Sequence, residues 1–481
     1  MTAPVIPAAL ISSLSRIVGD DGVIRDPERL LVYESDGLTQ YRHAPAAVVL
    51  PRTTEEVAAV VKELAAGGRA FVARGAGTGL SGGALAVAGA VVIATTRMNR
   101  VLEVDVENRR ARVQPGTVNS HLTRESLPHG FFYAPDPSSQ SACTIGGNVA
   151  ENSGGPHCLK YGVTSRYVTG LTVVLPDGEV VSFGGTGVEE DPYDLVGLFV
   201  GSEGCFGIAT EVEVTLTPVP EAAAALLAIF DRLEDAARAV TRIIARGLLP
   251  AALEIVDGET IRAVESSVFA AGYPTDAEAA LVVEFDGVED SLAEELAAAE
   301  ACCRDEGARE VRKAASDEER EALWRGRKKA FGAMGRIAPD LLVQDATVPR
   351  TRLPAVLERI MEIGRRYDLK VANVFHAGDG NLHPNILFDR RNREELARVE
   401  QASKEMMQAC VDAGGTITGE HGVGVDKKEY MGLIYSRSVL ETMEEVRRVF
   451  DPAGLSNPGK VLPGSIRSAI RGAEEDAVAR V

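Results

Sequence analysis

The chain has 481 residues, 45% of them hydrophobic, enough to fill more than one core, so two or three domains are expected. Its 70 acidic residues against 51 basic ones leave a formal charge of −19, which argues against a nucleic-acid partner but not against a small anion met by a local arginine. No apolar run reaches the roughly 18–20 residues of a membrane span, no basic leader precedes an apolar stretch, and six cysteines without C-x2-C or ferredoxin-like spacing read as free thiols of a cytoplasmic protein.

Residues 7–18 and 27–34 read as short helices that lead into a strand at Ala46–Leu50. Pro51-Arg-Thr-Thr-Glu-Glu-Val57 then opens a helix to about Ala66, with Thr53 or Thr54 as N-cap and acids in the first turn. From Ala70 to Thr217 short β-runs (70–73, 90–95, 101–105, 110–114, 169–175, 179–183, 208–216) are punctuated by Gly, Pro and Asn, the texture of a loop-rich α+β domain. Pro218 and Pro220 mark a boundary. Beyond it strands (225–231, 251–255, 280–286, 340–345, 370–376, 383–388) alternate with helices (233–246, 289–306, 316–336, 353–366, 391–413), which predicts an antiparallel sheet covered by helices. The expected division is a lead-in over 1–40, a first domain over 41–219, a second over 220–448, a turn-rich segment over 449–464 that returns to the first domain, and a tail over 465–481.

Three glycine-rich stretches fall in the first domain. Arg74-Gly-Ala-Gly-Thr-Gly-Leu-Ser-Gly82 contains G-x-G-x-x-G, yet the run after it, with Gly89 and Val91-Val-Ile93, is strand-like where a dinucleotide fold needs a helix, and the ribose-binding acid is missing. The backbone logic survives without the helix, since consecutive glycines expose N–H groups that wrap a pyrophosphate. Pro135 to Gly155 and Gly201 to Ile208 supply two more such regions, and three in one domain favour a large phosphate-bearing cofactor.

The second half holds His376-Ala-Gly-Asp-Gly-Asn-Leu-His383 and Gly419-Glu-His-Gly422, three of the seven histidines. A hairpin across 378–381 would bring His376 and His383 together at one end of the sheet, and a second loop can deliver Glu420 and His421. Two imidazoles and a carboxylate are a common ligand set for a divalent ion with open positions. Arg327 lies on the helical stripe of Leu323, Phe331 and Met334, where a guanidinium needs an anionic partner, either an internal carboxylate such as Asp345 or a substrate.

Taken together, Pro51-Arg-Thr-Thr-Glu-Glu-Val57, the Arg74–Gly82 loop, Val113-Gln-Pro-Gly-Thr117, Thr144-Ile-Gly-Gly-Asn148, Asn152-Ser-Gly-Gly155 and Gly201-Ser-Glu-Gly204 resemble the vanillyl-alcohol-oxidase (PCMH) type of FAD domain. The two histidine segments resemble the FAD-linked oxidase C-terminal domain, and the likeness covers roughly residues 40–464. The branch it points to contains bacterial glycolate oxidase flavin subunits and FAD-dependent D-lactate and D-2-hydroxyglutarate dehydrogenases.

By that resemblance Arg74, Gly75, Ala76, Gly77, Thr78, Gly79, Ser81 and Gly82 would hold the FAD pyrophosphate. Pro135, Asp136, Ser138, Thr144, Gly146, Gly147, Asn148, Asn152, Ser153 and Tyr161 would line the isoalloxazine and ribityl, Gly204 and Ile208 the adenine side, and Asn457 would reach back to the flavin. The pyrophosphate loop carries no histidine, so non-covalent FAD is expected. His376, His383 and Glu420 would hold a divalent metal, zinc or manganese, that binds the hydroxyl and carboxylate of a 2-hydroxy acid. His421 would take the hydroxyl proton, and Arg327 and Asn385 would hold the substrate carboxylate.

The resemblance implies oxidation of glycolate or D-lactate, since Phe331 and Val343 lack the polar and basic groups that suit a longer dicarboxylate. It also implies a second flavin-domain subunit and an iron–sulfur subunit as electron acceptors, with which the chain would sit at the inner face of a membrane. A stand-alone D-lactate or D-2-hydroxyglutarate dehydrogenase is the alternative within the class. A metal-dependent hydrolase is the alternative outside it, because His-His-Glu with a spare histidine also activates water.

Overall fold

The computed structural model describes residues 6–185 and 193–464; the expected tail at 465–481 lies outside them. The chain folds into two units, one of residues 1–154, 163–219 and 420–481, the other of 155–162 and 220–419.

In the first unit Val57, Val60, Val61 and Leu64 make one buried stripe of the helix Thr54–Ala66. Thr53 caps it by accepting Glu56 N–H at 3.2 Å, and Glu56 reaches back to Arg52 N–H at 2.7 Å. The helix packs with Ile11, Leu14, Phe71 and Ile93 against a four-stranded sheet, in the order Val23–Ile24, Ala47–Val49, Val91–Ala94, Phe71–Arg74. Phe71–Arg74 runs parallel to Val91–Ala94, so the glycine loop between them returns to a strand after only the single turn Val87–Gly89. The helix of a dinucleotide fold is absent from that connection, as the sequence predicts. Five antiparallel strands form a second sheet, Val101–Asp105, Arg110–Val113, Ile208–Thr215, Val168–Val174 and Val180–Gly184.

The second unit is built on antiparallel ladders, in the order Glu310–Lys313, Ala222–Phe230, Ala279–Gly287, Ala252–Asp257, Lys370–His376. From Lys370–His376 the sheet branches to Asn381–Leu382 with Ala346–Thr347, and to Pro384–Phe388 with Asp340–Val343. Helices cover it, so the α+β architecture with a helix-covered antiparallel sheet is observed. Among the described residues no helix is long and apolar enough to cross a membrane. All six cysteines are free thiols.

Three local expectations change. The helix expected over 316–336 stops at Lys328 and restarts as Ala330–Met334. The helices Asn119–Ser126, Gly258–Glu265 and Arg437–Phe450 were not among those expected, although Arg437–Phe450 carries Leu440, Met443 and Val446 at helical spacing. The return to the first unit begins at Glu420 rather than at 449, because Ser81 O accepts the amides of Val425 (3.0 Å) and Asp426 (3.2 Å). Further on, Leu455 O and Asn457 N bracket Phe71 at 2.9 and 2.8 Å. Conversely residues 155–162 join the second unit, where His157 meets Glu284 and Tyr161 Oη donates to Asp286 at 2.6 Å.

Candidate active-site residues of the two units

In the first unit the three glycine stretches meet around one short helix, Ile145–Glu151. Thr144 caps that helix, with Gly147 N–H on its Oγ1 at 3.4 Å. The Val113–Thr117 motif anchors its start, Ile145 N–H donating to Thr117 O (2.9 Å) and Gly146 N–H to Pro115 O (2.8 Å). A Cβ on Gly75 would fall 2.2 Å from Thr144 Oγ1, so only glycine lets the first stretch lie against the second. The third joins through Gly201 N–H to Val149 O and Glu203 N–H to Ala150 O, both at 2.8 Å.

Arg74 ends its strand and turns beneath the loop. It is 7% exposed, donates to Ser35 O at 2.8 Å and lies over the Tyr33 ring at 5.6 Å. Gly77 passes directly over it at φ +73°, where a Cβ would sit 2.2 Å from Arg74 Nη2. Asn148 Nδ2, Glu151 Oε2 and Ser202 Oγ are out of solvent without a hydrogen-bond partner. These orphaned groups and the close-packed glycine backbone fit a large nucleotide cofactor laid over the helix.

The remaining expected cofactor residues fall in several roles. Pro135 O accepts Asn119 Nδ2 at 2.9 Å, which fixes the loop that carries Asp136 and Ser138. Asn152 takes the left-handed conformation that ends the short helix (φ 52°) and accepts Ser165 N–H at 2.8 Å, while Ser153 O accepts Thr164 N–H at 3.1 Å. Asn457 ties loops together, its Nδ2 donating to Gly83 O (3.0 Å) and Glu203 O (2.5 Å) and its Oδ1 accepting Lys460 Nζ at 2.6 Å. Ile208 has its side chain in the apolar core with Phe71 and Val174, so only its backbone is left for a ligand. Tyr161 belongs to the second unit.

In the second unit the expected hairpin forms. His376 ends its strand opposite Asn381, Gly380 turns at φ +83°, and the two imidazoles stand 5.2 Å apart, edge to face. Both are buried, and each Nδ1 is engaged. His376 Nδ1 lies 2.7 Å from Glu254 Oε1, and His383 Nδ1 3.2 Å from Gln344 O. An Nδ1–H on each bond leaves the lone pair on Nε2, the state of a metal-binding imidazole. The donor set therefore fits a divalent ion.

Glu254 is the residue that sequence reasoning missed. It is fully buried, and its other oxygen accepts Arg327 Nε at 2.5 Å. Burial pushes its carboxyl up, but Arg327 and His376 outweigh that, and it lies below the ordinary range. Arg327 thus pairs with this internal carboxylate rather than with Asp345. The signal was present as a lone acid in the apolar run Ala251-Ala-Leu-Glu-Ile-Val256.

Asp345 has a different task. It accepts Thr418 Oγ1 at 2.6 Å and Gly419 N–H at 3.0 Å, and so pins the last residues before Glu420. Gly419 fits because a Cβ there would fall 2.4 Å from Asn381 Oδ1. Glu420 and His421 follow it along the chain as the first residues of the first unit's closing segment. Asn385 is fully buried, and its Nδ2 donates to Ala372 O (3.1 Å) and His383 O (2.7 Å), so the donors meant for a substrate carboxylate are committed to the sheet.

Comparison with known proteins agrees with both halves. Residues 45–184 match the family described as "FAD binding domain", and residues 219–461 match "FAD linked oxidases, C-terminal domain". The chain is 46% identical over 451 residues to the glycolate oxidase subunit GlcD of Escherichia coli (strain K12), covering 94% of this chain and 90% of that one. It is 34% identical to a D-lactate dehydrogenase of Anaerostipes hadrus, covering 90% and 95%. The structure of p-cresol methylhydroxylase with substrate bound superposes with a TM-score of 0.80 at 17% identity, covering 94% of this chain and 96% of that one, which carries the fold alone. A flavin domain of this kind gives the hydrolase reading no purpose. The glycine cradle and the histidine hairpin are parts of one enzyme type: the chain belongs to the FAD-linked oxidase family and is an FAD-dependent oxidoreductase.

Proposed function

We propose that the chain oxidises a small 2-hydroxy acid, glycolate or D-lactate, to the 2-oxo acid. The observation that carries this reading is the buried His376–His383 pair, with both Nδ1 atoms engaged, in a chain 46% identical to a glycolate oxidase subunit. When bound, FAD supplies the two-electron acceptor and a divalent zinc or manganese ion supplies a Lewis acid at the substrate hydroxyl.

His376, His383 and Glu420, one residue past the pinned Gly419, would hold that ion. His421 takes the hydroxyl proton at an imidazole nitrogen. Glu254 and Arg327 act through His376, fixing its ring and tautomer. The three glycine loops would hold FAD without a covalent link.

The iron–sulfur and second flavin-domain subunits remain the proposed electron acceptors. The related chain is itself named a subunit, and the cysteines here have no cluster spacing. A cytoplasmic position, held at the inner membrane face by those subunits, belongs to the same proposal.

Anaerobic titration of the purified flavoprotein with glycolate, D-lactate, L-lactate and D-2-hydroxyglutarate tests the reading. Glycolate or D-lactate bleaches the flavin first. If none of the four does so, the assignment fails for the isolated chain.

A further inference from the structure

Glu203 combines three features that rarely coincide. It is a non-glycine residue at φ +51°, it is 5% exposed, and it carries a carboxyl that burial lifts above its ordinary range. Strain of this kind persists only where the surroundings over-determine a conformation. Its backbone belongs to the third glycine loop, bonded to Ala150 O at 2.8 Å and to Asn457 Nδ2 at 2.5 Å. Its side chain leaves that loop: Oε1 accepts Val423 N–H at 2.6 Å and Oε2 accepts Gly424 N–H at 2.7 Å.

Those amides stand two and three residues beyond His421. The next two, Val425 and Asp426, donate to Ser81 O in the pyrophosphate loop. Four successive amides are therefore held by the first and third glycine stretches. Glu151, from the helix between them, closes the remaining side. A Cβ on Gly422 (φ +84°) would fall 2.0 Å from Glu151 Oε2 and 2.9 Å from Glu203 Oε1. The turn behind the histidine has no room to shift without moving cofactor loops.

We propose that Glu203 is a positioning residue that sets the place of Glu420 and His421 through the amides of Val423 and Gly424, so that FAD binding at the glycine loops and placement of the base are coupled. The proposal rests on the reading of His421 as the base. A carboxylate with an acceptor for each amide suits the task, and glutamine keeps only one acceptor.

Amide hydrogen exchange over residues 420–426 of the full chain, stripped of FAD and reloaded, tests the coupling. In the wild type FAD slows exchange at Val423 and Gly424 by about tenfold. In Glu203→Ala this effect disappears while FAD still binds, and the limiting rate of flavin reduction by glycolate or D-lactate falls about 100-fold with half-saturation little changed. Its pH profile shifts as well, and Glu203→Gln lies between the two.

Wild-type exchange and wild-type reduction in Glu203→Ala would overturn the proposal. So would equal loss of FAD in both variants with normal reduction by the molecules that keep it. If Glu203→Ala does not fold, Gly422→Ala, which presses on the turn from the Glu151 side, must show the same pair of losses, and normal behaviour there refutes the coupling. The exchange readout needs no substrate. A wild type bleached by no 2-hydroxy acid therefore refutes the function and leaves the coupling to be judged separately.

Discussion

Replacing Glu254 by glutamine removes the one negative charge that joins Arg327 to His376. Glu254 and Arg327 are 0% and 3% exposed, so neither the remaining guanidinium nor the imidazole is rescued by water. Removing one partner of a buried pair costs about 3–5 kcal/mol, because it strands the other charge. A glutamine keeps one acceptor for the two donors Arg327 Nε and His376 Nδ1, so the ring is held less firmly in its tautomer, and loss of such support costs about 10–100-fold in metal affinity.

The two losses separate in a double variant. Glu254→Leu/Arg327→Leu replaces the ion pair by apolar groups of similar size, and such replacements are neutral or stabilising. Its stability, read by urea unfolding, exceeds that of either single variant, whereas its metal affinity, read by competition with a chelator, stays low. Because Glu254 lies below the ordinary carboxyl range when folded, its stabilisation is present above about pH 4.3 and is lost as pH falls further. Wild-type stability together with wild-type metal affinity in Glu254→Gln would refute the reasoning.

His421→Ala keeps FAD but slows flavin reduction by about 100-fold or more in stopped-flow absorbance, the usual loss for a general base; loss of FAD instead would recast the residue as structural. Gly77→Ala loses FAD during purification, read as the ratio of flavin to protein absorbance, since left-handed alanine costs about 1–2 kcal/mol before its Cβ meets Arg74 Nη2. Asp257 is buried, caps the helix Gly258–Glu265 and has its carboxyl pushed up to about 6 by burial. Its folded value lies above an unfolded one of about 3.9, so its contribution falls by about 3 kcal/mol as pH rises from 4 to 6. Asp257→Asn removes that slope from the stability-against-pH curve, and an unchanged slope would contradict it.

The cofactor half was legible because its signals are local. A glycine that must hold φ +73° over an arginine, or let Thr144 approach within 2.2 Å of where a Cβ would be, is written at its own position in the chain. The His376–His383 hairpin was legible for the same reason, since eight residues with a glycine turn settle it. Substrate-side partners were not. Arg327 was correctly read as a guanidinium in need of an anion, yet its partner stands 73 residues away, and His376 is 122 residues from the same carboxylate.

The sequence by itself determined the two-part architecture, the three glycine-rich stretches and the identity of the paired histidines, all of which follow from short-range backbone and side-chain chemistry. Only the tertiary structure decided that Glu254 faces His376, because that pairing depends on the register of antiparallel strands brought together by distant apolar residues. It also decided that the chain rejoins the flavin unit at Glu420 and not at residue 449. The amides at 423–426, the first two of them buried, must find acceptors, and the ones they find, Glu203 and Ser81, lie hundreds of residues earlier.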